Sequence, residues 1–360
     1  MEAADELYMQ RCLQLAALAG SHAAPNPMVG SVLVHEGRII GEGYHKAYGG
    51  PHAEPECLAS VAESDRGLIS SSVLYVSLEP CAHYGKTPPC ADLIIENKIP
   101  RVVIGCRDPF PLVAGKGMEK LRAAGIEVRC GVLEAECREI NRRFFHFHTA
   151  HRPYVVLKWA QSGDNRIAGT GADRVYISNE YTNRIVHKWR TEEMAILVGT
   201  HTAMNDDPQL QSRLWPGRQP VRLLVDRALK LPRTLKILND GLPTIVFNER
   251  QHDLSFEDLQ PHSKRLWPAY YQVTHDVSLV QQMMHALYAL HIQSVLVEGG
   301  AYLLQSFIDE DTWDEARVIT NGNMWLGEGL QAPLLKNALL QHSETIFTDT
   351  IRTYRRHAGN

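Results

Sequence analysis

The sequence has no cysteine after position 137, although seven lie at or before it. An odd number crowded into one part of a chain does not make a disulfide framework, so reduced thiols are expected. No stretch approaches the ~20 apolar residues of a membrane span. The opening residues, Met1 to Asp5, are acidic, and no long apolar run follows them. No secretory leader is therefore expected, and the chain reads as cytoplasmic. A basic excess is also missing: the net charge is −4, which argues against a nucleic-acid partner. Nor is there the aromatic–basic stripe that tracks a single strand. No Gly-x-Gly-x-x-Gly follows a candidate strand, which disfavours an ordinary dinucleotide-binding Rossmann unit. What remains is 360 residues, 44% hydrophobic and 22% charged, enough for two globular domains.

The informative stretch runs from Pro51-His52-Ala53-Glu54 through Leu78-Glu79-Pro80-Cys81 to Pro88-Pro89-Cys90. Zinc takes nitrogen and sulfur ligands, and a catalytic site keeps three protein ligands with the fourth position open to water. His52, Cys81 and Cys90 supply such a set, and Glu54 lies two residues beyond the histidine. His-x-Glu followed by Pro-Cys is the order of zinc deaminases, where two residues separate the cysteines. Here eight residues separate them. A structural zinc site recruits four protein ligands; three good ligands plus a spare carboxylate favour catalysis. Zinc brings the pKa of a bound water to ~7, and Glu54 is the candidate that moves its proton to the ring nitrogen and the departing ammonia.

Around this stretch the first half alternates helices and strands. Tyr8, Cys12, Leu15, Ala16 and Ala19 recur at helical spacing over 5–20, with Cys12 expected in packing. Pro25-Asn26-Pro27 is a rigid turn that fixes the Asn26 amide, either toward a pocket or as a plain turn residue. Strands are expected at 29–34 and 39–43 around Glu36-Gly37, then a helix over 52–64 with Cys57 in its core. His45 is either a satisfied surface histidine or one approaching the His52 cleft. Strand 73–77 leads to Cys81, expected at a helix N-terminus where the dipole favours a thiolate. Helix 90–97, strands 101–105 and 125–129, and one charged helix over 133–148 complete an α/β sandwich around a largely parallel sheet. His146, His148 and His151 lack companion ligands and read as linker residues.

In the second half, strands are expected near 154–159, 195–199, 221–226, 243–247 and 294–298, with helices over 178–190 and 276–290. Glu298-Gly299-Gly300 then opens another helix, whose free amides can receive a phosphate or merely form a tight connection.

Pro25-Asn26-Pro27-x-Val29-Gly30, His52-Ala53-Glu54, Leu78-Glu79-Pro80-Cys81 and Gly85-Lys86-Thr87-Pro88-Pro89-Cys90 closely resemble the bifunctional riboflavin-biosynthesis deaminase–reductases. In that family eight residues separate the cysteines. The resemblance implies a cytidine-deaminase-like domain over 1–148 and a dihydrofolate-reductase-like domain over 149–360. It implies one zinc ion per chain, NADPH, and a small phosphoribosylaminopyrimidine substrate. The first domain would deaminate the 2,5-diaminopyrimidinone, and the second would reduce its ribosyl group to a ribityl chain. Further copies of the chain, a dimer or larger, are the expected partners.

Carried over residue by residue, Asn26, His45, His83, Lys86 and Thr87 match positions lining the deaminase pocket. Lys158, Arg174, Arg190, Leu210, Arg213 and Glu298 would contact the second substrate, the arginines suiting its phosphate. Ala160, Tyr176, Thr202, Asp206, Gly299 and Gly300 would contact the cofactor. Ser162, Asp164, Asp207-Pro208, Asp226, Asp108-Pro109 and Gly115-Lys116-Gly117 match the family as well. Three positions depart from its pattern: Asn165 replaces a glycine, and Arg174 and Tyr176 stand where serine and tryptophan are expected. Those departures leave a rival reading, in which only the deaminase works and the second domain is an oligomerisation or ligand-sensing module.

Overall fold

The computed structural model describes residues 2–84, 88–110, 114–171, 175–260 and 262–357. The chain divides into two compact units, Met1–Ala150 and His151–Asn360. Among the described residues no helix is long and apolar enough to cross a membrane.

The first unit is built from α1 (Glu2–Ala17), β1 (Gly30–His35), β2 (Arg38–Tyr44), α2 (Ala53–Ala59), β3 (Val73–Leu78), α3 (Cys90–Glu96), β4 (Arg101–Cys106), α4 (Lys116–Ala123), β5 (Glu127–Cys130), α5 (Glu134–Ile140) and α6 (Arg142–Ala150). Its sheet has the order β2-β1-β3-β4-β5. Alternating side chains feed two cores, because successive strand residues face opposite sides. Leu33, Leu74, Val76, Val102 and Ile104 pack against α2, α3 and α4. Val32, Val34, Tyr75 and Val103 pack against α1, α5 and α6. The result is the expected three-layer sandwich.

Several details differ from the sequence reading. The sheet is mixed rather than largely parallel: β1 runs antiparallel to both β2 and β3, and only β3–β4 and β4–β5 are parallel. The helix expected over 52–64 stops at Ala59. Ser60 Oγ donates to the Cys57 carbonyl at 2.7 Å and accepts from the Glu42 amide at 2.8 Å, turning the chain away. The helix expected over 133–148 breaks at Asn141. Lys116–Ala123, an additional helix, follows the Gly115 turn (φ 84°). Cys81 lies in the irregular segment after β3, not at a helix start; Cys90 is the residue that opens α3.

The second unit contains β6 (Tyr154–Ser162), β7 (Arg166–Ala168), α7 (Glu180–Glu192), β8 (Ala195–Val198), α8 (Thr200–Asp206), β9 (Val221–Val225), α9 (Lys236–Asn239), β10 (Thr244–Asn248), β11 (Ala269–Gln272), α10 (Leu279–Ala289), β12 (Ser294–Gly299), α11 (Ala301–Asp309), β13 (Glu315–Asn321), β14 (Leu330–Gln331), β15 (Ala338–Ile346) and β16 (Asp349–Arg356). A nine-stranded sheet runs β11-β10-β9-β8-β12-β6-β13-β16-β15. It is parallel from β11 to β13, and β16 and β15 close it as an antiparallel hairpin. The apolar runs Val155–Leu157 and Val295–Val297 suit strands covered on both faces: α10 and α11 pack on one side, α7 and α8 on the other.

Candidate functional site

In the first unit, the end of β2 and the start of α2 determine where His52 stands. Gly43 permits this: a Cβ there would lie 2.2 Å from the Cys57 amide and 2.6 Å from the Ala53 carbonyl. Only glycine lets α2 settle so close to the strand. His52 occupies the residue before α2 in an extended conformation (φ −72°, ψ 173°) and makes no side-chain cap. Its ring is thereby free to meet the sulfurs. His52 Nδ1 lies 3.6 Å from Cys81 Sγ and 3.3 Å from Cys90 Sγ. The three ligand atoms lie within 4.8 Å of one another.

The Cys90 amide, at the start of α3, donates to Cys81 Sγ at 3.3 Å. The helix N-terminus therefore serves the Cys81 sulfur, although Cys81 itself is outside the helix. Hydrogen bonds from Cys90 and His52 push the Cys81 thiol down, while the same Cys81 contact and burial push Cys90 up. Two sulfurs and one imidazole nitrogen form a set that suits zinc. Glu54 is 3% exposed and sits in the first turn of α2. Burial pushes its carboxyl up, and its side chain touches Cys90. Cys57 is wholly buried, its thiol pushed up to about 12 by burial, and it belongs to the core rather than the ligand set.

Asn26 and His45 meet beside this cluster. The His45 ring lies edge-on to His52 with centroids 5.7 Å apart. His45 Nδ1 is 2.8 Å from the Pro51 carbonyl, which can only accept, so the proton sits on Nδ1. His45 Nε2 then accepts from Asn26 Nδ2 at 3.1 Å, and Asn26 keeps its Oδ1 as a free acceptor lobe. Burial lowers the His45 pKa, consistent with a neutral ring. His83 is exposed on the segment after Cys81. Lys86 and Thr87 lie outside the described residues.

Two positioning side chains escaped the sequence reading. Asn141 is 3% exposed; its Oδ1 accepts from the Met28 amide at 2.7 Å and its Nδ2 donates to the Met28 carbonyl at 2.8 Å. This two-point clamp holds the Pro25–Met28 turn from a residue 113 positions away, and it sits where α5 breaks from α6. Glu79 is 4% exposed and accepts from four amides: Asp108 (3.3 Å), Gly115 (2.9 Å), Gly117 (3.0 Å) and Met118 (3.3 Å). It ties the segment after β4 against the cysteine-bearing segment. Gly117 is required there, since a Cβ would lie 1.9 Å from the Pro80 carbonyl. Burial pushes the neighbouring Asp108 carboxyl up to about 7.

The second unit holds a cavity of about 1070 Å³. It exceeds the usual range for one ligand of ~300–1,000 Å³. Lys158, Ala160, Tyr176, Arg190, Thr202, Asp206, Leu210, Arg213, Glu298, Gly299 and Gly300 all line it. Arg174 lies outside the described residues. The cavity opens where β6, β8 and β12 end, the usual ligand crevice of an open α/β sheet.

Inside it, Arg190 Nε and Nη2 each lie 2.7 Å from a Glu298 oxygen, and Arg190 Nη1 donates to the Gln211 carbonyl at 3.1 Å. Lys158 Nζ stands 3.9 Å from Glu298. Burial would raise the Glu298 pKa, but Arg190 and Lys158 overcome it and bring the carboxyl to about 2. Arg190 thus has a partner inside the protein, whereas Arg213 is exposed.

Asn165 has φ 58°, a left-handed conformation that asparagine adopts more readily than most residues. Its replacement of glycine therefore preserves the turn. Asp164 accepts from Ser162 Oγ and from the amides of Leu326 and Gly327, fixing the adjoining loop. Asp226 likewise accepts from the Lys230 and Leu231 amides and shapes a turn.

A family model described as the RibD C-terminal domain matches residues 153–349, and one for the cytidine and deoxycytidylate deaminase zinc-binding region matches residues 2–106. The riboflavin biosynthesis protein RibD of Aquifex aeolicus is 40% identical over 328 residues, spanning 91% of this chain and 89% of that one. RibD of Bacillus amyloliquefaciens is 38% identical over 339 residues, spanning 91% and 90%. A crystal structure of a diaminohydroxyphosphoribosylaminopyrimidine deaminase/5-amino-6-(5-phosphoribosylamino)uracil reductase from Thermotoga maritima superposes with a TM-score of 0.86, 35% identity and 99% coverage of both chains. Acinetobacter baumannii RibD gives 0.85, 30% and 99% of both.

Proposed function

The chain belongs to the RibD family of riboflavin-biosynthesis deaminase–reductases, and from that premise we propose how its two sites divide the work. It is a bifunctional enzyme of riboflavin biosynthesis. The deaminase-only alternative is not favoured, since the second unit matches the RibD C-terminal domain and its cavity gathers the expected residues.

For the first site, His52 Nδ1, Cys81 Sγ and Cys90 Sγ would hold a zinc ion. When bound there, zinc supplies a water acidified to a pKa of ~7. Glu54 takes one proton of that water and delivers it to a pyrimidine ring nitrogen, then takes the second from the oxygen now on the ring carbon and delivers it to the leaving amine. The ring carbon bearing the 2-amino group gains oxygen and loses ammonia. Asn26, its amide oriented by His45, offers Oδ1 to a ring N–H of the diaminopyrimidinone. His83, Lys86 and Thr87 are assigned to the same substrate on the family motif alone. The mutual approach of one imidazole, two thiols and a buried spare carboxylate is the observation that carries this reading.

For the second site, NADPH would supply a hydride to C1′ of the ribosyl group. Ala160, Tyr176, Thr202, Asp206, Gly299 and Gly300 would border the cofactor. Lys158, Leu210 and Glu298 would face the sugar. Arg213 would bind the phosphate, with Arg190 acting chiefly as the counter-ion that keeps Glu298 ionised.

The test is a coupled assay on the diaminopyrimidine phosphate. Wild type releases ammonia and then oxidises NADPH. Glu54→Gln does neither from that substrate, yet oxidises NADPH when given the deaminated one. Absence of NADPH oxidation by wild type on the deaminated substrate would restore the deaminase-only reading.

A further inference from the structure

His187 lies on α7 and is 3% exposed. Its Nδ1 accepts from the Arg213 amide at 3.0 Å, and its carbonyl accepts from Ser212 Oγ at 2.9 Å. With Nδ1 accepting, the neutral ring carries its proton on Nε2. Among the described residues Nε2 has no hydrogen-bond partner, and the residue lines the second cavity. The atom keeps some access to the cavity, so an acceptor arriving there takes the place of water as its partner.

The charged groups that face His187 come from each neighbouring element: Arg190 from its own helix, Arg213 from the loop it anchors, Lys158 from β6, and Glu298 from β12. Three cations against one carboxylate leave a positive surplus suited to a phosphate monoester. Burial and those cations hold the His187 pKa down to about 4. At neutral pH the ring is therefore an uncharged N–H donor beside the exposed Arg213 guanidinium.

We propose that His187 is a substrate-binding residue of the reductase site, donating Nε2–H to a phosphate oxygen of the sugar phosphate while its Nδ1 holds the Arg213 loop. The proposal rests on the reductase reading and adds a direct ligand to it.

Two substitutions separate the two ring nitrogens. His187→Asn keeps an acceptor near the Nδ1 position but loses the distal donor. His187→Gln keeps a distal N–H but loses the near acceptor. Two measurements are made on the full chain: KM for the deaminated substrate by NADPH absorbance, and the Kd of ribose 5-phosphate, with ribose as control, by calorimetry. We expect His187→Asn to raise both constants roughly tenfold to a hundredfold. His187→Gln, which keeps the distal donor, should lose several-fold less than His187→Asn, and ribose and NADPH affinities should not move.

Wild-type constants in His187→Asn would overturn the proposal. So would a loss in His187→Gln equal to or greater than that in His187→Asn, which would mean that the ring acts through its hold on Arg213 rather than through Nε2. If wild type oxidises no NADPH, the reductase reading fails, and the ribose 5-phosphate titration still decides the role of His187.

Discussion

Replacing Arg190 by methionine should leave the Glu298 carboxyl buried without its forked partner. The scale of the cost comes from the carboxyl: burial pushes it up, but Arg190 first and Lys158 second hold it at about 2 rather than the ordinary 4.5. A difference of about 2.5 units corresponds to roughly 3 kcal/mol at neutral pH. Breaking a buried ion pair by removing one partner costs ~3–5 kcal/mol, which agrees. Because the folded pKa is depressed, this stabilisation is present above about 4.5 and lost as pH falls toward about 2. It should thus be about 3 kcal/mol at pH 7 and about 1 kcal/mol at pH 3. The assay is urea unfolding of the full chain, followed by a probe in the second unit, for wild type, Arg190→Met, Glu298→Gln and the double variant. The double variant should regain most of the loss, because neither charge is then left buried alone. Equal stability of Arg190→Met and wild type, or a loss that does not shrink at acid pH, would refute the coupling and with it Arg190's role as counter-ion.

Further outcomes follow from the first unit. Glu54→Gln should retain bound zinc and lose ammonia release by about 10²–10⁴-fold; normal turnover would exclude Glu54 as the proton carrier. Asn141→Ala leaves the part-buried Met28 amide and carbonyl without their clamp, and a misplaced Asn26 should lower deaminase kcat/KM by roughly 10²-fold. Zinc content and NADPH oxidation should be unchanged in that variant, and unaltered ammonia release would show that the clamp is not needed for orientation. Gly117→Ala forces a Cβ to within 1.9 Å of the Pro80 carbonyl and should destabilise the first unit by about 1–3 kcal/mol. A thermal melt matching wild type would mean the two segments can part without cost.

The cluster of His52, Cys81 and Cys90 was readable from the sequence because two of its members sit at helix starts and the third follows β3 in a short Pro-Cys run, where a local pattern determines the place. His52 precedes α2 and Cys90 opens α3, so strand-to-helix junctions could be found from periodicity and turn residues alone. Asn141 could not be found that way. Its partner is a backbone group 113 residues earlier, and an asparagine inside a charged helical run carries no local signal. Glu79 was visible as part of a motif, but its four amide partners depend on the fold of the segment after β4. The mixed first sheet was misjudged because alternation of strands and helices says little about strand direction beside a hairpin. In the second unit the cavity residues other than Glu298-Gly299-Gly300 were recognisable only through family resemblance. The Arg190–Glu298 fork joins α7 to β12 across 108 positions, and charge type alone could not distinguish it from two ligands of a substrate. Asn165 shows the reverse case: its sequence departure looked disruptive, yet the positive φ it adopts is one that asparagine tolerates.

The account depends most on an open metal site with one nitrogen and two sulfur ligands from the protein. X-ray absorption at the zinc edge of the purified full chain tests it directly. The account predicts one zinc per chain, two sulfurs at ~2.3 Å and two nitrogen or oxygen neighbours at ~2.0–2.1 Å, with one of the light neighbours lost when a substrate analogue displaces water. A shell of three or four sulfurs, or a protein that takes up no zinc, would contradict it.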